Sequence, residues 1–152
     1  MKPETWKRLD RQFAQDLAIA GQAITVARET PSNEEIAAAA ESIGCVFDPD
    51  YFAFLRRYGG AIVGSLPVFG LRPVEVMGVV WSVVEVTRRY RDQKWPGTAD
   101  WYVISEDGYG NPIGIDPDGQ VMVSDHDHGD IATLAPNFED FLLMQCDTIS
   151  PE

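Results

Sequence analysis

Apolar positions recur first at steps of three and four. Trp6, Leu9, Phe13 and Leu17 fall on one face of a helix, which predicts a helix over residues 4–27, weakened at Gly21 and closed by Thr30-Pro31. Ser32 and Glu35 have capping-box spacing, so a second helix is expected near 32–43, alanine-rich from Ala37 to Ala40 and stopped by Gly44. Asp48-Pro49 offers an N-cap followed by proline at the first helical position. The third helix, 49–58, then buries Tyr51, Phe54, Leu55 and Tyr58 together with Phe47, and ends at Gly59-Gly60.

From Ala61 to Met77 short apolar pieces alternate with Gly64, Pro67, Gly70 and Pro73, the mark of short strands and tight turns. Ser82 and Glu85 open a fourth helix near 82–94, broken by Pro96-Gly97. Beyond it the period falls to that of strands at Trp101–Ser105, Pro112–Asp116, Val121–Asp125 and Ile131–Leu134. Glu106-Asp107-Gly108, Asp116-Pro117-Asp118-Gly119 and His128-Gly129-Asp130 separate them as hairpin turns, so the sheet should be largely antiparallel. Asn137, with Asp140 three residues on, caps a last helix near 137–146 that turns Phe138, Phe141 and Leu142 inward. The expected architecture is a single α+β domain, a central mostly antiparallel sheet flanked by N-terminal and C-terminal helices.

Charge changes this picture more than composition does. The chain carries −12 net, yet every Lys and Arg lies at or before Lys94, where twelve acids balance twelve bases. The other twelve acids lie between Asp100 and Glu152 without a base among them. A segregated acidic field disfavours nucleic-acid phosphate and anionic lipid and favours a cationic protein partner. No apolar run reaches the roughly 18–20 residues of a spanning helix, and Val74 to Val86 is interrupted by Glu75, Gly78, Ser82 and Glu85. The first residues, charged to Asp16, lack the apolar core of a secretory signal, and Cys45 and Cys146 read as two reduced thiols in apolar settings. A cytoplasmic protein is expected.

Two blocks carry a resemblance. The first runs Ser32-Asn33-Glu34-Glu35-Ile36, Glu41-Ser42-Ile43-Gly44 and Phe47-Asp48-Pro49-Asp50-Tyr51 through Tyr58-Gly59-Gly60. The second runs from Trp101-Tyr102-Val103-Ile104-Ser105 through Gly108-Tyr109-Gly110-Asn111-Pro112 and Asp118-Gly119-Gln120-Val121 to Phe138-Glu139-Asp140-Phe141-Leu142. In order and spacing they resemble the SUKH superfamily, the Smi/Knr type named after a fungal cell-wall synthesis regulator. Asp48 stands where that family usually has proline. The resemblance spans residues 31–145 and implies an α+β domain with a central sheet. It also implies a bacterial immunity protein that neutralises a polymorphic toxin, often a nuclease. On this reading residues 1–30 form an N-terminal helix packed as one unit with a SUKH-like domain over 31–147.

The chemistry-bearing residues fit binding better than catalysis. His126 and His128 would share one face of a strand and could begin a zinc or iron site, but no third ligand stands at useful spacing. Asp116-Pro117-Asp118-Gly119 lacks the spacing and final Glu of a calcium loop. Ser105 has no nucleophile elbow, and the glycines at 108 and 110 precede a strand, so no helix N-terminus is offered to a phosphate. No cofactor, metal or catalytic residue is expected. The partner-binding set is Glu106, Asp107, Tyr109, Asp116, Asp118, Asp125 and Asp127, gathered at the strand ends into one patch with Tyr109 as anchor. The main expectation is toxin neutralisation by this surface. A regulatory interaction module of the same fold is the alternative, and a metal-dependent enzyme using His126 and His128 a remote one.

Overall fold

In a computed structural model the described residues are 1–20, 25–27, 29–72, 74, 82–127 and 129–147. The elements among them, in chain order, are α1 (Pro3–Ala20), α2 (Asn33–Ser42), α3 (Pro49–Tyr58), β1 (Ala61–Val63), β2 (Leu66–Val68), α4 (Val83–Asp92), β3 (Tyr102–Glu106), β4 (Pro112–Ile115), β5 (Val121–Asp125), β6 (Asp130–Ala135) and α5 (Phe138–Asp147). β1 and β2 form a small antiparallel sheet, and β3-β4-β5-β6 form a four-stranded antiparallel meander. The single α+β domain expected from the pattern is the observed fold. The positions expected at Pro73, 75–77 and His128 lie outside the described residues.

The capping signals act as read. Ser32 and Glu35 close a reciprocal box. The Asp48 carboxylate accepts from Asp50 N at 3.0 Å and Tyr51 N at 3.4 Å. Ser82 Oγ accepts from Glu85 N, and Asn137 Oδ1 from Asp140 N at 2.8 Å. Each satisfies N–H groups that a helix start leaves open, worth about 1 kcal/mol apiece.

The first helix is shorter than its apolar period predicts. Its described residues run from Pro3 to Ala20, and Val26, expected within it, instead forms an antiparallel bridge with Ala61. Ala27 N donates to Gly60 O at 3.0 Å and Ile62 N to Thr25 O at 2.7 Å, so this segment runs strand-like beside β1. The Gly59-Gly60 helix stop beside it is crowded, and a Cβ on Gly59 would stand 2.7 Å from Glu29 O. Gly59 adopts φ +76° to end α3, and its carbonyl accepts from Leu71 N and Arg72 N. A Cβ on Gly70 would stand 1.9 Å from that oxygen, so only glycine lets the two stretches cross here.

The core lies between the helices and one face of the meander. Tyr51 and Phe54 on α3, both fully buried, pack edge-on against Phe138 of α5 at 5.4 and 5.5 Å. Tyr51 also meets Tyr102 of β3 at 5.4 Å, and Tyr58 meets Phe13 of α1 at 4.9 Å. Such pairs add about 0.5–1.5 kcal/mol each beyond the area they bury. The buried Tyr51 hydroxyl donates to Phe69 O at 2.5 Å, and burial, then the neighbouring Tyr102, push its pKa well up. Asp10 of α1 takes hydrogen bonds from Arg57 and Tyr58, whose donor strength outweighs partial burial and lowers its pKa. On the other side Glu139 of α5 accepts from Lys2 N at 2.6 Å and Thr5 Oγ1 at 2.7 Å.

Candidate protein-binding surface

An antiparallel meander reverses direction at each turn, so alternate turns share an end of the sheet. The β3–β4 turn and the β5–β6 turn therefore lie together, and the β4–β5 turn lies at the opposite end. Glu106, Asp107, Tyr109, Asp125 and Asp127 come together at the first end, with Asp130 opposite Asp125 in the register. Asp116 and Asp118 do not join them. The single patch expected from the sequence is thus two patches, because one strand, β4 on one side and β5 on the other, separates the β4–β5 turn from each of the other turns and carries the chain to the opposite end of the sheet.

Asn111, 4 % exposed, locks the first end. Its Nδ2 donates to Asp107 Oδ2 at 2.9 Å, which leaves Oδ1 facing the next hairpin. That oxygen accepts from His126 N at 3.0 Å and lies 2.5 Å from His126 Nδ1. The amide orientation makes Nδ1 the protonated ring nitrogen. Trp95 packs edge-on against the same imidazole at 5.7 Å, and His126 Nε2 lies 3.1 Å from Asp127 Oδ1. The geometry gives His126 a hairpin-linking part, with one of its two possible ligand nitrogens already engaged. His128, the other imidazole of the expected pair, lies outside the described residues. Among the described residues no three His, Cys, Asp or Glu side chains are grouped to hold a metal ion.

The predicted carboxylates divide by task. Asp107 Oδ1 accepts from Tyr109 N and Asn111 N, Asp116 Oδ1 from Asp118 N and Gln120 N, and Asp125 Oδ1 from Asp127 N, all at 2.8–2.9 Å. These three build their own turns by side-chain capture of the following N–H groups. Glu106 is half-buried beside Tyr90, whose hydroxyl donates to Gly110 O at 3.3 Å; burial first, then the Glu106 charge, raise the Tyr90 pKa. Asp118, Asp127 and Tyr109 are exposed, Tyr109 by 81 %. Trp101, by contrast, is buried over Gly97 and Gly114, where no Cβ would fit.

The second end is joined by Asp48, read from the sequence only as a helix cap, and by Val46 and Asp100, which the sequence reading did not place at a site. A Cβ on Gly119 would come within 3.5 Å of Asp48 Oδ1, which places the β4–β5 turn against the start of α3. Asp48 N donates to Tyr102 Oη at 2.8 Å, fixing that helix start on β3. Val46, 92 % exposed, and Asp100 stand beside the same turn. The available signal was Val46 itself, between the half-buried Cys45 and the buried Phe47 in a run that reads as core.

Among the described residues no helix is long and apolar enough to cross a membrane. Over residues 11–146 the chain matches the SUKH_5 family model, described as SMI1-KNR4 cell-wall. No curated protein matches the sequence.

Proposed function

The chain belongs to the SMI1-KNR4 family, and on that premise we propose that it is a non-catalytic immunity protein that neutralises a cationic toxin domain through its acidic sheet ends. The family's members are generally non-catalytic immunity proteins. The observation that carries the reading is charge segregation: no Lys or Arg follows Lys94, and the meander that follows puts its acids into three turns. A nuclease presents a basic face to its phosphate substrate, and an acidic protein that covers this face excludes the substrate. Carboxylates of the turns steer the partner before contact, toward association rates on the order of 10⁸ M⁻¹s⁻¹ at low salt.

The test is capture of the partner by the tagged chain from its native cell, followed by stopped-flow mixing across a salt series and an activity assay of the partner. Association should slow steeply as the Debye length shrinks from about 30 Å at 0.01 M to about 10 Å at 0.1 M. An association rate indifferent to salt would assign the acids to solubility. A partner that binds with undiminished activity would point to the regulatory module instead.

A further inference from the structure

Around Val46 three hollows adjoin one another. The largest, about 520 Å³, opens between α2 and the loop to α3 and is lined by Ile36, Ala40, Phe47 and Phe52. Two smaller ones, about 270 and 250 Å³, continue past Tyr102 to the β4–β5 turn. Val46 belongs to all three, so they form one groove with an exposed apolar ridge at its middle.

The walls are held by Arg91 of α4. Its guanidinium donates to Ile43 O at 2.7 Å, Trp101 O at 2.8 Å and Thr98 O at 2.9 Å, and approaches Cys45 Sγ at 3.4 Å. Arg88 is turned onto Ser42 O at 3.3 Å. These two bases are therefore committed to main-chain carbonyls behind the groove. Its rim is acidic on every side: Glu41 along α2, Asp48 at the start of α3, Asp100 in the loop before β3, and Asp116 and Asp118 in the β4–β5 turn.

Resting on the reading of a cationic partner, we infer that this groove, and not the Tyr109 end of the sheet, is where the partner is held. The occupant is a protein segment with an apolar side chain flanked by Lys or Arg. The apolar side chain lies against Val46 and Phe47, where it leaves water, and the flanking cations meet the rim acids. A side chain taken out of water slows dissociation, whereas rim charges mostly speed encounter. A second copy of this chain is a poor occupant, because each carries −12 and would bring like charge to the rim.

The experiment is an NMR titration of the full ¹⁵N-labelled chain at low salt with two peptides, acetyl-Arg-Lys-Leu-Lys-Arg-amide and acetyl-Glu-Asp-Leu-Asp-Glu-amide. The basic peptide should shift the amides of Gly44, Val46, Asp116 and Gly119, and the acidic one should leave them in place. Val46→Ser alters an exposed side chain and should keep the fold while weakening the basic peptide by roughly fivefold. Asp100→Asn with Asp118→Asn should weaken it by a similar factor and soften its salt dependence. Shifts confined to residues 107–111 and 125–130 would overturn the groove while leaving acidic capture standing. Equal response to both peptides, no response at all, or concentration-dependent shifts of the free chain would overturn the occupant named here. Of these, only the loss of all preference for the basic peptide would also sink the broader reading.

Discussion

The two ends of the meander carry similar charge and differ in what surrounds it. At the Asn111 end the acids belong to neighbouring hairpins of one sheet, and the buried amide that joins them has every polar atom engaged within the fold. At the Val46 end the acids come from α2, the start of α3, the loop before β3 and the β4–β5 turn, and they ring an apolar hollow. Carboxylates alone attract at a distance and hold weakly once solvated. Carboxylates around apolar surface can do both. A count of acids locates a field, and a binding surface needs the concavity as well.

The largest expected effect falls on the groove wall. Arg91→Ala removes the donor from three main-chain carbonyls in a half-buried setting, and should cost about 3 kcal/mol, read as a lower midpoint in urea. Amide shifts should spread through 43–46 and 98–101 and spare the hairpin tips. A variant as stable as the parent would mean that Arg91 does not support the groove.

Asn111→Ala should cost less, about 2 kcal/mol, because it unpairs His126 N and one side of Asp107. Hydrogen exchange should quicken at 107–111 and 125–127 while peptide binding at Val46 stays within twofold. If both ends respond alike to either substitution, they are one cooperative unit and the contrast fails.

A third substitution tests the α1–α5 clamp. Burial raises the Glu139 pKa, but the Thr5 hydroxyl and Lys2 N–H bonds to its charged form outweigh this and lower it below the ordinary value near 4.5. A depressed carboxylate stabilises fully above its unfolded value and loses that contribution as pH falls through the folded one. Glu139→Gln should therefore cost about 1 kcal/mol at neutral pH, a figure kept small by partial exposure. The difference between variant and parent should close below the ordinary value, as followed by urea melts over a pH series. A difference constant with pH would remove the charge from the clamp.

The smallest effect belongs to the exposed tips. Asp127→Asn with Asp130→Asn should slow association of the cationic partner by about two- to threefold at low salt and leave dissociation unchanged. Faster dissociation in this variant, with no change on Val46→Ser, would move the holding contact to the Tyr109 end.

Local signals were legible along the chain because they act within about four residues. The Ser32–Glu35 box, the Asp48-Pro49 start, the Ser82 and Asn137 caps and the Asp-Gly turns need no distant partner, and each formed where its spacing placed it. The apolar period of 4–27 misled at its end, since Val26 finds a partner in Ala61, thirty-five residues on. The segregation of acids was likewise written in the sequence, as was the confinement of most of them to turns. What only the tertiary structure decided is which acids share a surface. Sheet parity sends Asp116 and Asp118 away from Asp107 and Asp125, and long-range packing through Arg91 and Tyr102 brings Val46, Asp48 and Asp100 to meet them. Turns and caps answer to the nearest N–H group, whereas a groove exists only after segments some fifty residues apart have buried their apolar faces together.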